Sequence, residues 1–427
     1  MEALYTLFQN STGVETDTRK IQKGSLFFCL KGANFDGNTF AEEAIRLGAI
    51  TAVIDNPQYQ IEGKTVLVED TLLALQNLAR HHRNQFQIPI IGITGSNGKT
   101  TSKELISAVL ATQFQIHFTQ GNFNNHIGVP LTLLQLKKEH EIAVIEMGAN
   151  KPGDIKELVE IALPTHGIIT NIGRAHLEGF KSLEGVIKTK TELFDFLAQH
   201  KGHIFANKED ETITRKLPST THNHFYNDPT ELGGSLLKLT PLVEMEWFEP
   251  NYSSPAIQTN LVGEYNFINF LAAIRIGRFF GISSDNCNKA ISGYEPTNNR
   301  SQVTKTDRNT LIVDCYNANP TSMRSALSSF AKIDNHAKIF ILGDMREMGD
   351  DAPMVHEEVI QQTIELRLSG FFIGEEFLKF KGTHPNAIFL KSTDPLIEHF
   401  TNNPPSDLLI LLKGSRGISL EKVIPYL

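Results

Sequence analysis

The chain has 427 residues, of which 40% are hydrophobic and 21% charged, with a formal net charge of −8. At roughly 150 residues per domain this length predicts two to four domains, and the acidic balance argues against broad nucleic-acid binding. No apolar stretch reaches the ~18 residues that a membrane-spanning helix needs, the start "MEALYTLFQN" has no basic n-region of a secretory signal, and Cys29, Cys287 and Cys315 are too scattered for a disulfide framework or a zinc site. A cytoplasmic protein without a transmembrane segment is expected.

Residues 1–84 hold short apolar strands, "SLFFCL" (25–30), "ITAVID" (50–55) and "KTVLVE" (64–69), separated by helical patterns at 40–49 and 71–82. They predict a small α/β domain. From 85 to 298 the runs become the near-continuous kind of buried parallel strands: "IPIIGIT" (88–94), "IAVIEMG" (142–148) and "HGIITNIG" (166–173). Helical stretches at 102–112 and 182–200 lie between or after them, so βαβ crossovers and a parallel sheet are predicted. "EPTNNRS" supplies a boundary near residue 298, and 299–427 repeats the alternation with runs at 310–316, 337–344, 369–374, 386–390 and 407–415. The whole reads as α/β in three domains, the last Rossmann-like, with a ligand cleft between two parallel sheets.

The stretch "GITGSNGKTT" (92–101) follows a buried strand and opens a helix. Gly95 and Gly98 are three apart, so the common phosphate-loop spacing fails, yet the mechanism survives. Glycines let the backbone turn onto a ligand, and N–H groups at a helix start face an anion. Lys99 is then placed to neutralise phosphate oxygens, and the Thr100 hydroxyl to ligate Mg2+. Downstream, Glu146 closes a buried strand, where a carboxylate is costly unless paired or metal-bound, and it suits a second Mg2+ contact. His176, in "TNIGRAHLEGF" (170–180), is either structural or a metal ligand through neutral imidazole. Lys188 and Lys190 lie on the 182–200 helix, and the turn "GNFNNHIGVP" (121–130) carries Asn124 and Asn125, which are either a helix cap or hydrogen-bonding groups for a polar ligand. In the last block "VDCYNANPTSM" (313–323), "LGDMREMG" (342–349) and "LLKGSRG" (411–417) place polar residues directly after buried strands, which marks one functional face.

These motifs, in this order and over essentially the whole chain, resemble the Mur ligase family, whose phosphate loop has the shortened form "TGSNGKT"; "YNANP" and "LGDMREMG" resemble the branch that adds D-alanyl-D-alanine. The resemblance implies a three-domain ligase: a UDP-MurNAc-binding domain (1–84), a central P-loop ATPase-like domain (85–298) and a C-terminal Rossmann-like domain (299–427). It implies UDP-MurNAc-tripeptide and D-alanyl-D-alanine as substrates, ATP and Mg2+ as cofactors, no nucleic-acid partner, and a monomer. ATP would phosphorylate the tripeptide's terminal carboxylate, and the dipeptide amine would attack the acyl phosphate.

By resemblance, Gly95, Ser96, Asn97, Gly98, Lys99, Thr100 and Thr101 hold the phosphates, with Asn266 and Asn269 of "EYNFINF" near the nucleotide. Arg300, Asp314, Tyr316 and Asn317 would close on the adenosine, with Lys413 and Arg416 as weaker contacts. Thr100 and Glu146 would hold one Mg2+ and His176 another; Lys190 matches the lysine that family members carry as a carbamate (N6-carboxylysine), with Lys188 as its competitor. Lys99, His176 and Lys190 would be the catalytic residues. Thr18, Arg19, Lys31, Gly32 and Asp36, in "TDTRKIQKGSLFFCLKGANFDG" (16–37), match the uridine-binding segment, and Asn124 and Asn125 the substrate wall. The branch that adds the third amino acid usually carries an Asp-Asn-Pro-Arg motif in its last domain, which is absent here.

Overall fold

The computed structural model of the chain describes residues 1–296, 300–334 and 337–427; the boundary expected near residue 298 lies outside the described residues. Three parallel sheets follow one another. The first has four strands in the order Val14–Glu15, Leu26–Phe28, Thr51–Ile54 and Thr65–Leu67. The second has six, in the order His222–Tyr226, His203–Asn207, His166–Ile169, Ile90–Thr94, Ile142–Glu146 and Ile116–Phe118. The third also has six: Gln302–Lys305, Thr310–Asp314, Leu409–Lys413, Lys338–Gly343, Gly370–Ile373 and Ala387–Leu390, parallel except for the first.

The central sheet explains why its strands read as unbroken apolar runs. Successive side chains point to opposite faces, and both faces are covered. Ile90, Ala143, Ile145 and Ile169 enter one core layer beside Ile155, Leu158, Val186 and Leu193 of the helices Asp154–Ala162 and Leu183–Gln199. Ile91, Ile93, Val144 and Ile168 enter the other, beside Leu105, Ile106 and Val109 of the helix Lys99–Leu110 and Phe270 and Ala273 of Asn266–Phe279. The first core layer continues into the N-terminal unit through Leu75, Leu78 and Ala79 of the helix Thr71–Arg83, which packs on Gly128–Leu133 and Asp154–Ala162. Arg83, 6% exposed, fastens that junction by donating from Nε to the Ala162 carbonyl (3.1 Å) and from Nη1 to that of Phe86 (2.6 Å).

The parallel registers bring strand ends together. Ile93 pairs with Glu146, and Ile169 with Thr94, so Gly95, Glu146 and Thr170 meet on one rim. In the third sheet Lys413 pairs with both Asp314 and Leu342. Each rim is the carboxyl-end edge of its sheet, where open α/β folds bind ligands.

One part departs from the sequence reading. Between the second and third parallel sheets lies a four-stranded antiparallel sheet, Gly233–Leu239, Leu242–Glu249, Tyr252–Ser253 and Ile257–Val262, and the strands Ile116–Phe118, His203–Asn207 and His222–Tyr226 were also not anticipated. The physical reason is burial: Gly233–Leu239 and His222–Tyr226 are mostly half-buried or exposed, so they carry no continuous apolar run. The chain's single tryptophan, Trp247, anchors this sheet. It is fully buried and its indole N–H donates to Asn288 Oδ1 at 2.7 Å, while Asn288 Nδ2 donates to Tyr252 Oη at 2.8 Å. Among the described residues no helix is long and apolar enough to cross a membrane.

Replacing Asn288 with Ala leaves a buried indole donor unpaired, which costs about 1–3 kcal/mol. The expected outcome is a lower urea midpoint with an unchanged slope, read by the fluorescence of Trp247; an unchanged midpoint would mean that this bond does not anchor the sheet.

Candidate active site

The strand Ile90–Thr94 runs into Gly95 at φ 148°, then Ser96, Asn97 and Gly98 at φ 76°, and the helix Lys99–Leu110 begins at once. Positive φ alone favours glycine at both positions. At Gly95 space decides as well, because an added Cβ would stand 2.0 Å from Thr170 Oγ1. The next strand end braces the loop. Thr170 Oγ1 (2.6 Å) and Asn171 Nδ2 (3.0 Å) donate to the Asn97 carbonyl, while Asn171 Oδ1 accepts from the Asn97 N–H (3.0 Å). Ser96 Oγ donates to the Gly173 carbonyl at 3.0 Å.

Lys99 folds back over this turn, donating to the Gly95 carbonyl (2.7 Å) and more weakly to that of Ser96 (3.4 Å). Desolvation pushes its pKa down, opposed by Glu146 and assisted by Arg300. The Thr100 hydroxyl donates to Glu146 Oε2 at 2.9 Å, and Asn124 Nδ2 to Glu146 Oε1 at 2.8 Å. Glu146 is 1% exposed, and among the described residues it has no salt-bridge partner. A carboxylate buried on neutral donors alone is a poor resting arrangement and a fitting one for a cation. Asn125 is occupied differently: its Oδ1 accepts from the N–H groups of Ile127 (3.1 Å) and Gly128 (2.8 Å) and so starts a helix. Both asparagines still line the cavity.

Asn269 and Asn266 tie a second helix to the loop helix. Ser102 Oγ donates to Asn269 Oδ1 (3.1 Å), Asn269 Nδ2 to Asn266 Oδ1 (2.8 Å), and Asn266 Nδ2 to the Val262 carbonyl (2.7 Å). From the third sheet, Asp314 accepts from Lys413 Nζ at 2.5 Å, and Lys413 is 2% exposed. The Arg300 guanidinium lies 3.7 Å from the Tyr316 ring centroid, with Arg416 at 5.8 Å. Asn317 Oδ1 accepts from the Ala318 N–H at 2.9 Å. Asn319 caps the helix Pro320–Lys332 in a reciprocal box with Ser322 and donates from Nδ2 to Asn97 Oδ1 at 2.7 Å, which joins the third sheet to the phosphate loop.

His176 and Lys190 stand on the central unit. The His176 Nδ1 contacts Glu347 Oε2, a residue of "LGDMREMG". Lys190 is 2% exposed, whereas its competitor Lys188 is exposed to solvent. Among the described residues the Lys190 ammonium has no hydrogen-bond or ion-pair partner; it lies 5.7 Å from the Phe180 ring centroid. Burial, assisted by the charge of Lys99, drives its pKa far below that of a free lysine.

One cavity of about 1080 Å³ collects most of these groups: Ser96 to Lys99, Thr101, Glu146, His176, Asn266 and Asn269 from the central unit, and Arg300, Asp314, Tyr316, Asn317, Asn319, Glu347 and Lys413 from the third. Gly95 and Thr100 lie in the loop that forms its wall, without lining it themselves, and neither Lys190 nor Arg416 lines it. The N-terminal candidates are not gathered there. Arg19 is 86% exposed at its side chain and paired with Asp17 (2.7 Å), Lys31 pairs with Asp55 (2.8 Å), and Asp36 accepts from the Asn38 N–H (2.9 Å). Thr18 begins a short 3-10 turn and Gly32 belongs to a two-stranded hairpin with Phe35. No three His, Cys, Asp or Glu side chains among the described residues converge as a metal cluster. Sequence reasoning missed Thr170, Asn171 and the role of Glu347; the signal available for the first two was a polar pair directly after a buried run.

Comparison with known proteins agrees with this geometry. The family models "Mur ligase family, catalytic domain", "Mur ligase middle domain" and "Mur ligase, glutamate ligase domain" match residues 10–83, 93–277 and 299–416. A UDP-N-acetylmuramoyl-tripeptide--D-alanyl-D-alanine ligase of Bacillus subtilis is 36% identical over 431 residues, covering 96% of this chain and 92% of the relative. The crystal structure of MurF from Acinetobacter baumannii superposes with a TM-score of 0.89 at 27% identity, covering 99% of this chain and 97% of that one. The MurF ligase of Thermotoga maritima, solved with ADP, gives 0.87 at 25% identity, covering 98% and 97%. A chain with this phosphate loop, these two facing sheet rims and a 36% identical relative along nearly its full length belongs to the Mur ligase family.

Proposed function

We infer that the protein is an ATP-dependent ligase that joins D-alanyl-D-alanine to UDP-N-acetylmuramoyl-tripeptide, completing the pentapeptide precursor of peptidoglycan. The observation that carries this reading is the single cavity onto which the Gly95–Thr101 loop, the buried Glu146 and the Arg300–Tyr316 stack all converge from two sheets. A nucleotide laid across it would have its phosphates at the loop N–H groups and Lys99, and its adenosine against Arg300, Asp314, Tyr316 and Asn317. Asn266 and Asn269 line the same cavity and tie their helix to the loop helix through Ser102.

The chemistry needs what these residues offer. A carboxylate is a poor electrophile. Transfer of the γ-phosphoryl group onto the tripeptide's terminal carboxylate makes an acyl phosphate and releases ADP. The dipeptide amine then adds to the acyl carbon, and the tetrahedral intermediate expels phosphate to leave the amide. Donor and acceptor are both anionic, so Lys99 lowers the barrier by neutralising charge as the oxygens approach. Thr100 and Glu146 would hold one Mg2+, and His176 with N6-carboxylysine at Lys190 a second; the ions supply further positive charge to the phosphate oxygens. Two features of Lys190 favour the carbamate: burial disfavours the ammonium and so favours the amine that can add CO2, and among the described residues no carboxylate or carbonyl hydrogen-bonds to it.

The reading assigns residues 1–84 to the UDP end of the substrate, where the exposed Arg19 and half-exposed Lys31 stand with Thr18, Gly32 and Asp36. It assigns 85–298 to ATP and 299–427 to closure over the nucleotide. Asn124 and Asn125 shape the substrate wall between the two sites, the first by holding Glu146, the second by starting a helix. Use of ATP places the reaction in the cytoplasm.

With ATP and Mg2+, phosphate release is expected only when both UDP-MurNAc-tripeptide and D-alanyl-D-alanine are present. Release without the dipeptide, or preference for a single amino acid, would overturn the assignment. Lys99→Ala is expected to lower turnover at least a hundredfold, in line with the loss of one preorganised charge contact; near-normal turnover would reject the loop's role. Lys190→Ala is expected to be inactive and partly rescued by small carboxylic acids added to the assay, because they restore the missing carboxylate. Full activity without rescue would reject the carbamate.

A further inference from the structure

The motif "LGDMREMG" reaches across the cleft in a way that nothing in the reaction scheme above requires. Glu347 stands after the third-sheet strand Lys338–Gly343, yet its carboxylate Oε2 sits on Nδ1 of His176, which follows the central strand His166–Ile169. The backbones approach as well: the Glu178 N–H points at the Glu347 carbonyl at 3.5 Å, and Glu178 Cα and Cβ lie 3.6 Å from where a Cβ on Gly349 would stand. Both residues of the pair have left-handed backbones, His176 at φ 51° and Glu347 at φ 64°. Non-glycine residues adopt that conformation rarely and at a cost. Here the two such residues face each other across the boundary between sheets.

The pair adds little to stability. His176 is 23% and Glu347 55% exposed at the side chain, and exposed ion pairs contribute little. What the contact does fix is the imidazole. An ionised carboxylate only accepts, so the hydrogen between the two groups sits on Nδ1, and in the neutral ring the lone pair is then on Nε2. A carboxylate behind an imidazole sets both tautomer and ring direction wherever the far nitrogen has a ligand. The ring is also packed: Phe180 meets it edge-on, with centroids 6.4 Å apart, and the Lys190 ammonium lies 5.7 Å from the Phe180 ring centroid. A line of contacts therefore runs from the third sheet through Glu347, His176 and Phe180 to Lys190.

We propose that Glu347 is a positioning residue that the third domain supplies to the central one: on closure it locks His176 as the Nδ1–H tautomer, so that the imidazole Nε2 is available to the reacting phosphate site only when the nucleotide is covered. The proposal rests on the ligase reading for the purpose of the lock, while the lock itself is a property of the folded chain. Glu347 is then neither a metal ligand nor a base. Its task is geometric, and a neutral acceptor of the same shape does it nearly as well.

The test uses the full chain labelled with 15N at histidine, with ADP and Mg2+ added, and a His176→Gln sample to assign the His176 signals in a long-range 1H–15N spectrum. Wild type and Glu347→Gln are expected to show His176 as a single Nδ1–H tautomer, and Glu347→Ala a tautomer mixture or the Nε2–H form. In the phosphate-release assay Glu347→Ala is expected to lose about tenfold to a hundredfold in kcat, the usual cost of removing a carboxylate behind a ligating imidazole. The KM for ATP should move by less than about threefold, and Glu347→Gln should restore kcat to within a similar factor. Thermal midpoints should agree among all three. An unchanged His176 tautomer in Glu347→Ala overturns the proposal, and so does a Gln variant as impaired as the Ala variant, which would make Glu347 a direct charge or ligand. If phosphate release fails to depend on both substrates, the ligase reading falls while the tautomer measurement still decides the lock.

Discussion

The site is organised by one costly placement: the carboxylate of Glu146, 1% exposed, at the end of a central strand and without a salt-bridge partner among the described residues. Buried anions demand compensation. Here it comes from the Thr100 hydroxyl and the Asn124 amide, which satisfy two oxygens without neutralising them. Much of the neighbourhood follows from that. Thr100 must sit on the first turn of the loop helix, so the loop must turn within Gly95 to Lys99. Gly95 must lack a side chain, because Thr170 occupies the space and clamps Asn97. The parallel register Ile93 to Glu146 delivers both groups to the same rim. The charge that these neutral donors leave on Glu146 is what the cavity offers to a cation.

The third sheet repeats the same geometry with the opposite resolution. Asp314 also closes a buried strand, but its neighbour in register is Lys413, and the two pair at 2.5 Å. In the proposed reading the rim that would meet phosphate keeps a carboxylate without a salt-bridge partner among the described residues, and the rim set against the adenosine has its carboxylate paired and presents the Arg300–Tyr316 stack. The two rims touch through small polar contacts, Asn319 to Asn97 and Glu347 to His176, which are individually weak and therefore reversible. Such contacts suit a hinge-type closure better than an apolar seam would, because they can be made and broken without exposing core.

Much of this was legible in the sequence, and the reason is burial on two faces. Runs such as Ile142–Glu146 and Leu409–Lys413 are apolar throughout because helices cover both sides, and polar residues directly after them stand out. What was not legible is equally physical. The antiparallel sheet from Gly233 to Val262 is only half covered, so its strands mix polar and apolar residues and show no run. Asn124 and Asn125 are alike in sequence, yet one holds a carboxylate 22 positions on and the other caps the turn three residues ahead, and the first contact lies beyond any local pattern. The Glu347–His176 pair joins residues 171 positions apart across two sheets, which no local pattern encodes. The N-terminal candidates Thr18, Arg19, Lys31, Gly32 and Asp36 matched a motif, and the fold sets them apart from the main cavity.

Two buried lysines show how function separates from stability in this molecule. Lys103 and Lys190 are 1% and 2% exposed. Lys103, on the loop helix, donates to the Thr119 carbonyl at 2.7 Å and lies 3.6 Å from Glu104 Oε1, so its charge is answered. Lys190 has no hydrogen-bond or ion-pair partner among the described residues and lies against the face of Phe180, and burial drives its pKa down. A lysine whose pKa is lowered by burial costs folding free energy wherever the unfolded chain binds more protons than the native one. A methionine of similar volume would avoid that cost at no loss of packing. A position that accepts such a penalty beside the Phe180–His176 contact, with Lys188 two residues earlier left in solvent, is best understood through the chemistry of a free amine, which can be acylated or can add CO2 to become a carboxylate.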